Sequence, residues 1–290
     1  MRDVRVGIIG GSGLYAMEGL ANVEEMTVNT PFGPPSDNVV MGDLDGVSAA
    51  FLPRHGEGHR ISPTELPSRA NVWAMRSLGV THLLSISAVG SLREDFAPRD
   101  AVIPDQILDR TKGIRPATFF EDGLVAHIAF AEPYCPEFCN IVYDAAVDLG
   151  VATPHRGGTM IVMEGPQFST KAESSFYRQI GGDIIGMTAL PEAKLAREAE
   201  ICYCTLAMIT DYDCWHESEE AVTVDMVVEN MQANAKASRA ILRTVIPRIA
   251  EAERDCECAS ALENAIITSP DAIPEERKQT LDLLVGKYLD

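Results

Sequence analysis

The chain has 290 residues, 46% of them hydrophobic, with 43 acidic against 24 basic side chains and a formal net charge of −19. That size and apolar content allow one or two domains around a large buried core. The charge argues against nucleic acid and anionic membranes as partners, since no basic stripe is present to displace counterions from phosphates, and any anionic substrate must be held by local donors.

The N-terminal stretch carries only a short apolar run with no small-residue cleavage site behind it, and no segment reads as a membrane span, so the expected compartment is the cytoplasm. The seven cysteines are 135, 139, 202, 204, 214, 256 and 258. Cys256 and Cys258 lack two further ligands at C-x-x-C or H-x-x-x-H spacing, so they do not read as a zinc site. Buried thiols are the plain reading, with a disulfide an option in a hyperthermophile. No metal and no cofactor is expected.

Val4 to Ile9 reads as a first strand running into Gly10–Gly11–Ser12–Gly13–Leu14, where glycines permit close backbone approach to a ligand. Gly11 to Ala16 also fits the G-x-G-x-x-A dinucleotide fingerprint, which suggests an NAD-dependent dehydrogenase as a reading from another class. The fingerprint requires a second strand ending in an acid within about thirty residues. Here Thr27 to Asn38 is loop-like instead. Val39–Met41 and Val47–Leu52 read as paired strands, the second delivering Arg54 and His55, an arginine fork and a ring donor suited to an anion, with His59 close behind.

Ser68 to Leu78 has helical spacing closed by Gly79, and Thr81 to Ala88 reads as a buried strand ending in Val89–Gly90. Asp100 to Ile107 reads as a further strand and Asp109 to Asp122 as a polar loop. Pro136 to Leu149 is helical with Gly150 at its end. Thr159 to Met163 is a strand leading into the Glu164–Gly165–Pro166 turn and Phe168, which is either a core anchor or a stacking surface for a flat ligand. Lys171–Gln179 reads as a helix, Asp183–Thr188 as a strand and Pro191–Glu200 as a helix.

Cys202 to Ile209 is an apolar run of buried-strand length that ends in Thr210–Asp211–Tyr212–Asp213. Two carboxylates at a strand's carboxyl end lie where open α/β sheets bind ligands. One of them capping a helix is the alternative. Val224 to Glu251 reads as one long amphipathic helix interrupted by Pro247, and 256–268 with 275–289 as a helical tail that packs on the body or on another subunit. Strands alternating with helices give an α/β fold: a single domain over 1–255 with a central mixed, largely parallel sheet flanked by helices, and a C-terminal helical extension over 256–290.

The segments GGSGLY (10–15), TPFGPPSD (30–37), RHGEGH (54–59), SAVGSLRE (87–94), AEPYCP (131–136), EGPQFSTKAES (164–174), GMTALPEA (186–193) and TDYDCWHE (210–217) occur together in this order. As a set they resemble the purine nucleoside phosphorylase family, most closely its 5'-methylthioadenosine phosphorylase branch. The resemblance implies that inorganic phosphate cleaves the N-glycosidic bond of a purine nucleoside. It further implies a phosphate cradle of Ser12, Arg54, His55, Ser87, Ala88 and Thr188, Met187 and Thr188 at the ribose, and Phe168 against the purine. Thr210, Asp211 and Asp213 fall at the purine edge, with Asp211 as general acid. His59, Val224 and Val227 fall near the 5' group, with His127 supplied by a neighbour in a homotrimer or hexamer.

A carboxylate suits adenine, because it accepts from the 6-amino group and, when protonated, donates to N7; acting as an acid at neutral pH, Asp211 would require a raised pKa. Gly186 stands where some members carry an asparagine. Methylthioinosine, inosine and guanosine are therefore alternative substrates, and a non-catalytic nucleoside-binding protein is a further alternative.

Overall fold

The computed structural model describes residues 4–11, 13–14, 18–216 and 224–289, the side chains of 224–228 excepted. The chain opens with β1 (Val6–Gly10), β2 (Ala21–Met26), β3 (Val39–Leu44) and β4 (Val47–Pro53), followed by helix α1 (Ser68–Ser77). Next come β5 (His82–Ser91), β6 (Ala101–Ile103), β7 (Gln106–Arg110), α2 (Pro136–Leu149), β8 (Pro154–Arg156) and β9 (Thr159–Met163). Then follow α3 (Lys171–Gln179), β10 (Ile184–Gly186), α4 (Ala189–Glu198), β11 (Cys202–Asp211), α5 (Val224–Glu251) and α6 (Glu275–Leu289).

The strands form one 11-stranded sheet with β5 at its centre. β5 runs parallel to β1 on one side and to β11 on the other, and β1 is in turn parallel to β4. The carboxyl ends of β4, β1, β5 and β11 therefore emerge together. β11 is buried at every residue but the last, as an unbroken apolar run requires when both faces of a strand are covered. The helices pack in pairs, α1 on α4 and α2 on α5, with α2, α4 and α5 all touching β11. Among the described residues, no helix is long and apolar enough to cross a membrane.

The periodic segments fold as their patterns predict: α2 ends at Gly150 in the left-handed conformation (φ 58°), and α5 spans the expected residues with Pro247 inside it. The structure differs in four places. The expected strand over 100–107 is two strands. β6 pairs with β11 and β8, whereas β7 pairs with β9, and Pro104–Asp105 carries the chain between them. The expected polar loop over 109–122 begins as the last residues of β7 and buries Phe119 and Phe120. β2, an exposed edge strand with the polar sequence ANVEEM, has no alternating apolar signal to reveal it. It pairs antiparallel with β3, so the glycine loop after β1 does not open a βαβ unit, and the dehydrogenase reading loses its structural basis.

The tail is the fourth difference. Residues 256–268 contain only a short 3-10 turn, Glu257–Ser260, and a bridge pairing Ile266 with Ala126. The last segment is a helix as expected, α6, which buries Leu281, Leu284 and Val285 against the body. Its end is fastened by Glu200, a buried acid whose carboxylate accepts from the Tyr288 hydroxyl at 2.5 Å and pairs with Lys287 Nζ at 2.6 Å.

Candidate active site

At the carboxyl end of β11 the register with β5 shifts between Ile209 and Asp211, so that Asp211 lies opposite Gly90. The two preceding carbonyls are taken up by α5: Asn234 Nδ2 donates to Ile209 O at 2.8 Å and Asn230 Nδ2 to Thr210 O at 3.0 Å. Both backbone carbonyls at the irregularity are thereby satisfied. Gly90 is what lets the acids sit there. A Cβ at that position would stand 3.3 Å from Asp211 Oδ1 and 3.3 Å from the Cβ of Asp213.

Asp211 is half-buried and accepts from the Thr210 hydroxyl at 2.7 Å and from the Asp213 backbone N–H at 2.9 Å. Asp213 accepts from Ser174 Oγ at 2.5 Å, which brings α3 to the acidic pair. Burial, aided by the Asp211 charge, lifts the Asp213 carboxyl above its ordinary value against the opposing Ser174 bond.

Three residues back along β5 from Gly90, Ser87 Oγ lies 3.1 Å from Thr188 Oγ1, in the segment after β10. β10 runs antiparallel to β5, and a Cβ on Gly186 would be 3.3 Å from Val89 Cγ1, so Gly186 closes this corner tightly. Ala88, beside Ser87, is exposed. Ser87 and Ala88 on β5, Met187 and Thr188 just after β10, and Thr210 and Asp211 at the end of β11 thus come from three neighbouring strands.

Arg54 reaches this end of the sheet from β4, yet it is not an open anion clamp. Its Nε donates to Glu192 Oε1 at 2.5 Å, Nη1 to Ile86 O at 2.9 Å, and Nη2 to Ser85 Oγ at 2.7 Å and Ile9 O at 3.1 Å. Of the five N–H groups a guanidinium carries, one on Nη1 is uncommitted among the described residues. The Glu192 carboxylate outweighs the cost of burial and holds Arg54 firmly charged. Tyr203 and Ser85 hydroxyls also donate to Glu192.

His55, next in the chain, gives its Nδ1 proton to Ile61 O at 2.7 Å, while burial pulls its pKa down, so the ring is neutral at pH 7 with Nε2 as an acceptor. His59 stacks on it with ring centroids 4.2 Å apart and is itself exposed.

Phe168 is 84% exposed, which rules out the core-anchor reading. Its loop is fixed from behind by Arg115, which is 7% exposed: Nε donates to Glu164 Oε1 at 2.7 Å, and Nη1 donates to Met187 O and Leu190 O. The same side chain therefore ties the Phe168 loop to Met187 and Thr188. Gly165 (φ 68°) packs directly on the Met187 sulfur, where a Cβ would be 2.5 Å away.

His127 stands apart from this cluster; it is exposed, and its backbone N–H donates to Ala265 O in the tail. Ser12 and the side chains of Val224 and Val227 lie outside the described residues. Among the described residues no group of three or more potential metal ligands gathers at this end of the sheet. Glu192 and Ser174 fall inside the segments GMTALPEA and EGPQFSTKAES, yet nothing local marks their partners. Arg115, Asn230 and Asn234 are single polar residues in an ordinary loop or helix whose partners are distant in sequence.

Comparison with known proteins places these residues in context. The phosphorylase superfamily matches residues 5–247. An S-methyl-5'-thioadenosine phosphorylase of Geobacter sulfurreducens is 56% identical over 284 residues, covering 98% of this chain and 99% of that protein. Among solved structures, a methylthioadenosine phosphorylase from an antarctic soil metagenomic library superposes with a TM-score of 0.94 at 47% identity, covering 98% of this chain and 99% of the other. A methylthioadenosine phosphorylase of Schistosoma mansoni in complex with adenine gives a TM-score of 0.82 at 39% identity over 90% of this chain and 96% of that one.

Proposed function

We propose, for a chain that belongs to the phosphorylase superfamily and within it groups with the S-methyl-5'-thioadenosine phosphorylases, the phosphate-dependent cleavage of 5'-methylthioadenosine to adenine and 5-methylthioribose 1-phosphate. This is a pentosyl transfer in purine and methionine salvage. A phosphate oxygen forms a bond to the anomeric carbon as the bond to purine N9 breaks, and the purine keeps the electron pair. The reaction needs a positioned anion, room for a cationic ribosyl group and a hydrogen-bond donor at the leaving base.

The observation that carries the reading is the acidic pair. Asp211 and Asp213 sit at the end of β11 beside Gly90, three residues along β5 from Ser87, whose hydroxyl meets that of Thr188. In this reading Asp211 bonds purine N6 and N7 and delivers the proton at N7, and Asp213 holds it in place through its backbone N–H. Ser12, the free N–H of Arg54, His55, Ser87, the Ala88 backbone and Thr188 hold phosphate. A neutral His55 offers Nε2 to a protonated phosphate oxygen. Phe168 covers the purine, Met187 the ribose, and His59, Val224 and Val227 the 5' methylthio group. His127 completes a neighbouring subunit's site in a homotrimer or a hexamer built from two. The enzyme is read as a cytoplasmic one, with a catalytic domain over 1–255 and an extension over 256–290.

The deciding experiment measures base release from 5'-methylthioadenosine and methylthioinosine, each with and without phosphate. Adenine released only with phosphate, and faster than hypoxanthine, is the expected result. Faster hypoxanthine release would overturn the assignment of Asp211 to the 6-amino group, and release independent of phosphate would overturn phosphorolysis.

A further inference from the structure

Cys256 and Cys258 do have partners, and these come from far away in the sequence. Cys135 precedes α2 and Cys202 opens β11. Their sulfurs and those of Cys256 and Cys258 all lie within 4.8 Å of one another. We propose that these four cysteines bind a single divalent metal ion, zinc by the chemistry of the donor set, and that the ion fastens the C-terminal tail to the body of the enzyme.

The geometry favours one central ion. A tetrahedral zinc site with Zn–S bonds of about 2.3 Å places its thiolates about 3.8 Å apart. The sulfur separations here straddle that value, from 3.2 Å between Cys202 and Cys256 to the 4.8 Å limit for the set. A disulfide needs about 2.05 Å and engages two sulfurs only, whereas here each sulfur is close to all three others. A four-thiolate tetrahedral set is the donor pattern of zinc, and multinuclear clusters hold their thiolates farther apart than one ion does.

The surroundings fit as well. Cys135, Cys202 and Cys258 are at most 3% exposed, so the site is closed, as structural sites are. Each thiol gives up its proton on binding, and four thiolates around a divalent ion leave two negative charges. Arg254 offsets one of them, donating from Nε to Cys202 Sγ at 3.3 Å, and its other end is anchored on the Glu200 carbonyl. Glu137 Oε2 lies 3.4 Å from Cys135 Sγ, but this acid is exposed in the first turn of α2, where water screens its charge and leaves the side chain room to turn away. β11 separates Cys202 from Asp211 by nine residues, about 30 Å of strand, so the ion takes no part in the reaction. Its role is to join the start of β11, the start of α2 and the segment after α5.

The test is metal analysis of the full-length enzyme purified under reducing conditions from cells supplied with zinc. About one zinc per chain is expected to survive gel filtration in EDTA, to be released by a mercurial thiol reagent, and to be replaceable by cobalt with the thiolate charge-transfer and tetrahedral ligand-field bands of a four-sulfur site. The double variant Cys256→Ser/Cys258→Ser should lose the metal and melt at a lower temperature while keeping the wild-type kcat/KM at 25 °C. Less than about a tenth of an ion per chain in the wild type, after refolding with zinc as well, would overturn the proposal. So would alkylation of the unreduced, denatured protein showing these cysteines joined in disulfides. The wild-type measurements decide the matter even if the variant does not fold.

Discussion

Arg54 and Glu192 meet at 2.5 Å, Nε to Oε1, with side chains 3% and 2% exposed, beside Ser85 and Ile86 of β5. The pair converts an arginine that sequence alone would aim at an anion into a fixed post, with a single N–H left to offer. Glu192 in turn gathers donors from β4, β5 and β11, through Arg54, Ser85 and Tyr203.

Removing one partner of such a pair leaves a buried charge uncompensated. Glu192→Gln should therefore destabilise the enzyme by about 3–5 kcal/mol in urea unfolding and raise KM for phosphate, since Arg54 loses its orientation. A loss below about 1 kcal/mol would show that the guanidinium is satisfied without the carboxylate.

Phe168 is exposed and its loop is held by Arg115 rather than by the ring itself. Phe168→Ala should leave stability within about 0.5 kcal/mol of wild type and weaken nucleoside binding by about 1–3 kcal/mol, a rise of roughly 5- to 150-fold in KM. Unchanged KM would remove the ring from the purine site.

Asp211→Asn exchanges an acceptor for a donor at the purine edge. The ratio of activity on methylthioadenosine to that on methylthioinosine should fall by at least about 100-fold, because a mismatched buried polar group is left unpaired. An unaltered ratio would show that another residue reads the 6-position. Gly90→Ala should lower kcat/KM for both substrates together, since the new methyl group presses on Asp211 and Asp213 without altering the donor pattern.

Glu198, on α4, is buried, and desolvation raises its pKa to about 7 despite bonds from the Phe119 N–H and the Thr118 hydroxyl. The folded state therefore holds a proton that the unfolded chain releases at the ordinary carboxylate value of 4.5. Its contribution is fully present below about pH 4.5 and is lost as pH rises through about 7, on the order of 3 kcal/mol in all. The melting temperature should fall between pH 5.5 and 8.5, and Glu198→Gln should flatten that slope. An identical slope in the variant would assign the pH dependence elsewhere.

What the sequence by itself determined is whatever depends on neighbours along the chain. The 3.6-residue periodicity placed α1, α2, α3 and α5, Gly150 closed α2, the unbroken apolar run marked β11, and acids just past that run marked the ligand end of the sheet. Recurring short segments added the family. What only the tertiary structure decided depends on residues distant in sequence. β2 lacks an alternating pattern because neither of its faces is buried, and 100–107 divides because two different strands claim its halves. Arg54 reads as an open clamp until Glu192, 138 residues away, closes on it. Cys256 and Cys258 read as an isolated pair until Cys135 and Cys202 arrive beside them. A local pattern records the period of a helix or strand and the chemistry of a side chain. Which buried charges and sulfurs meet is set by packing, and packing is a property of the whole sheet.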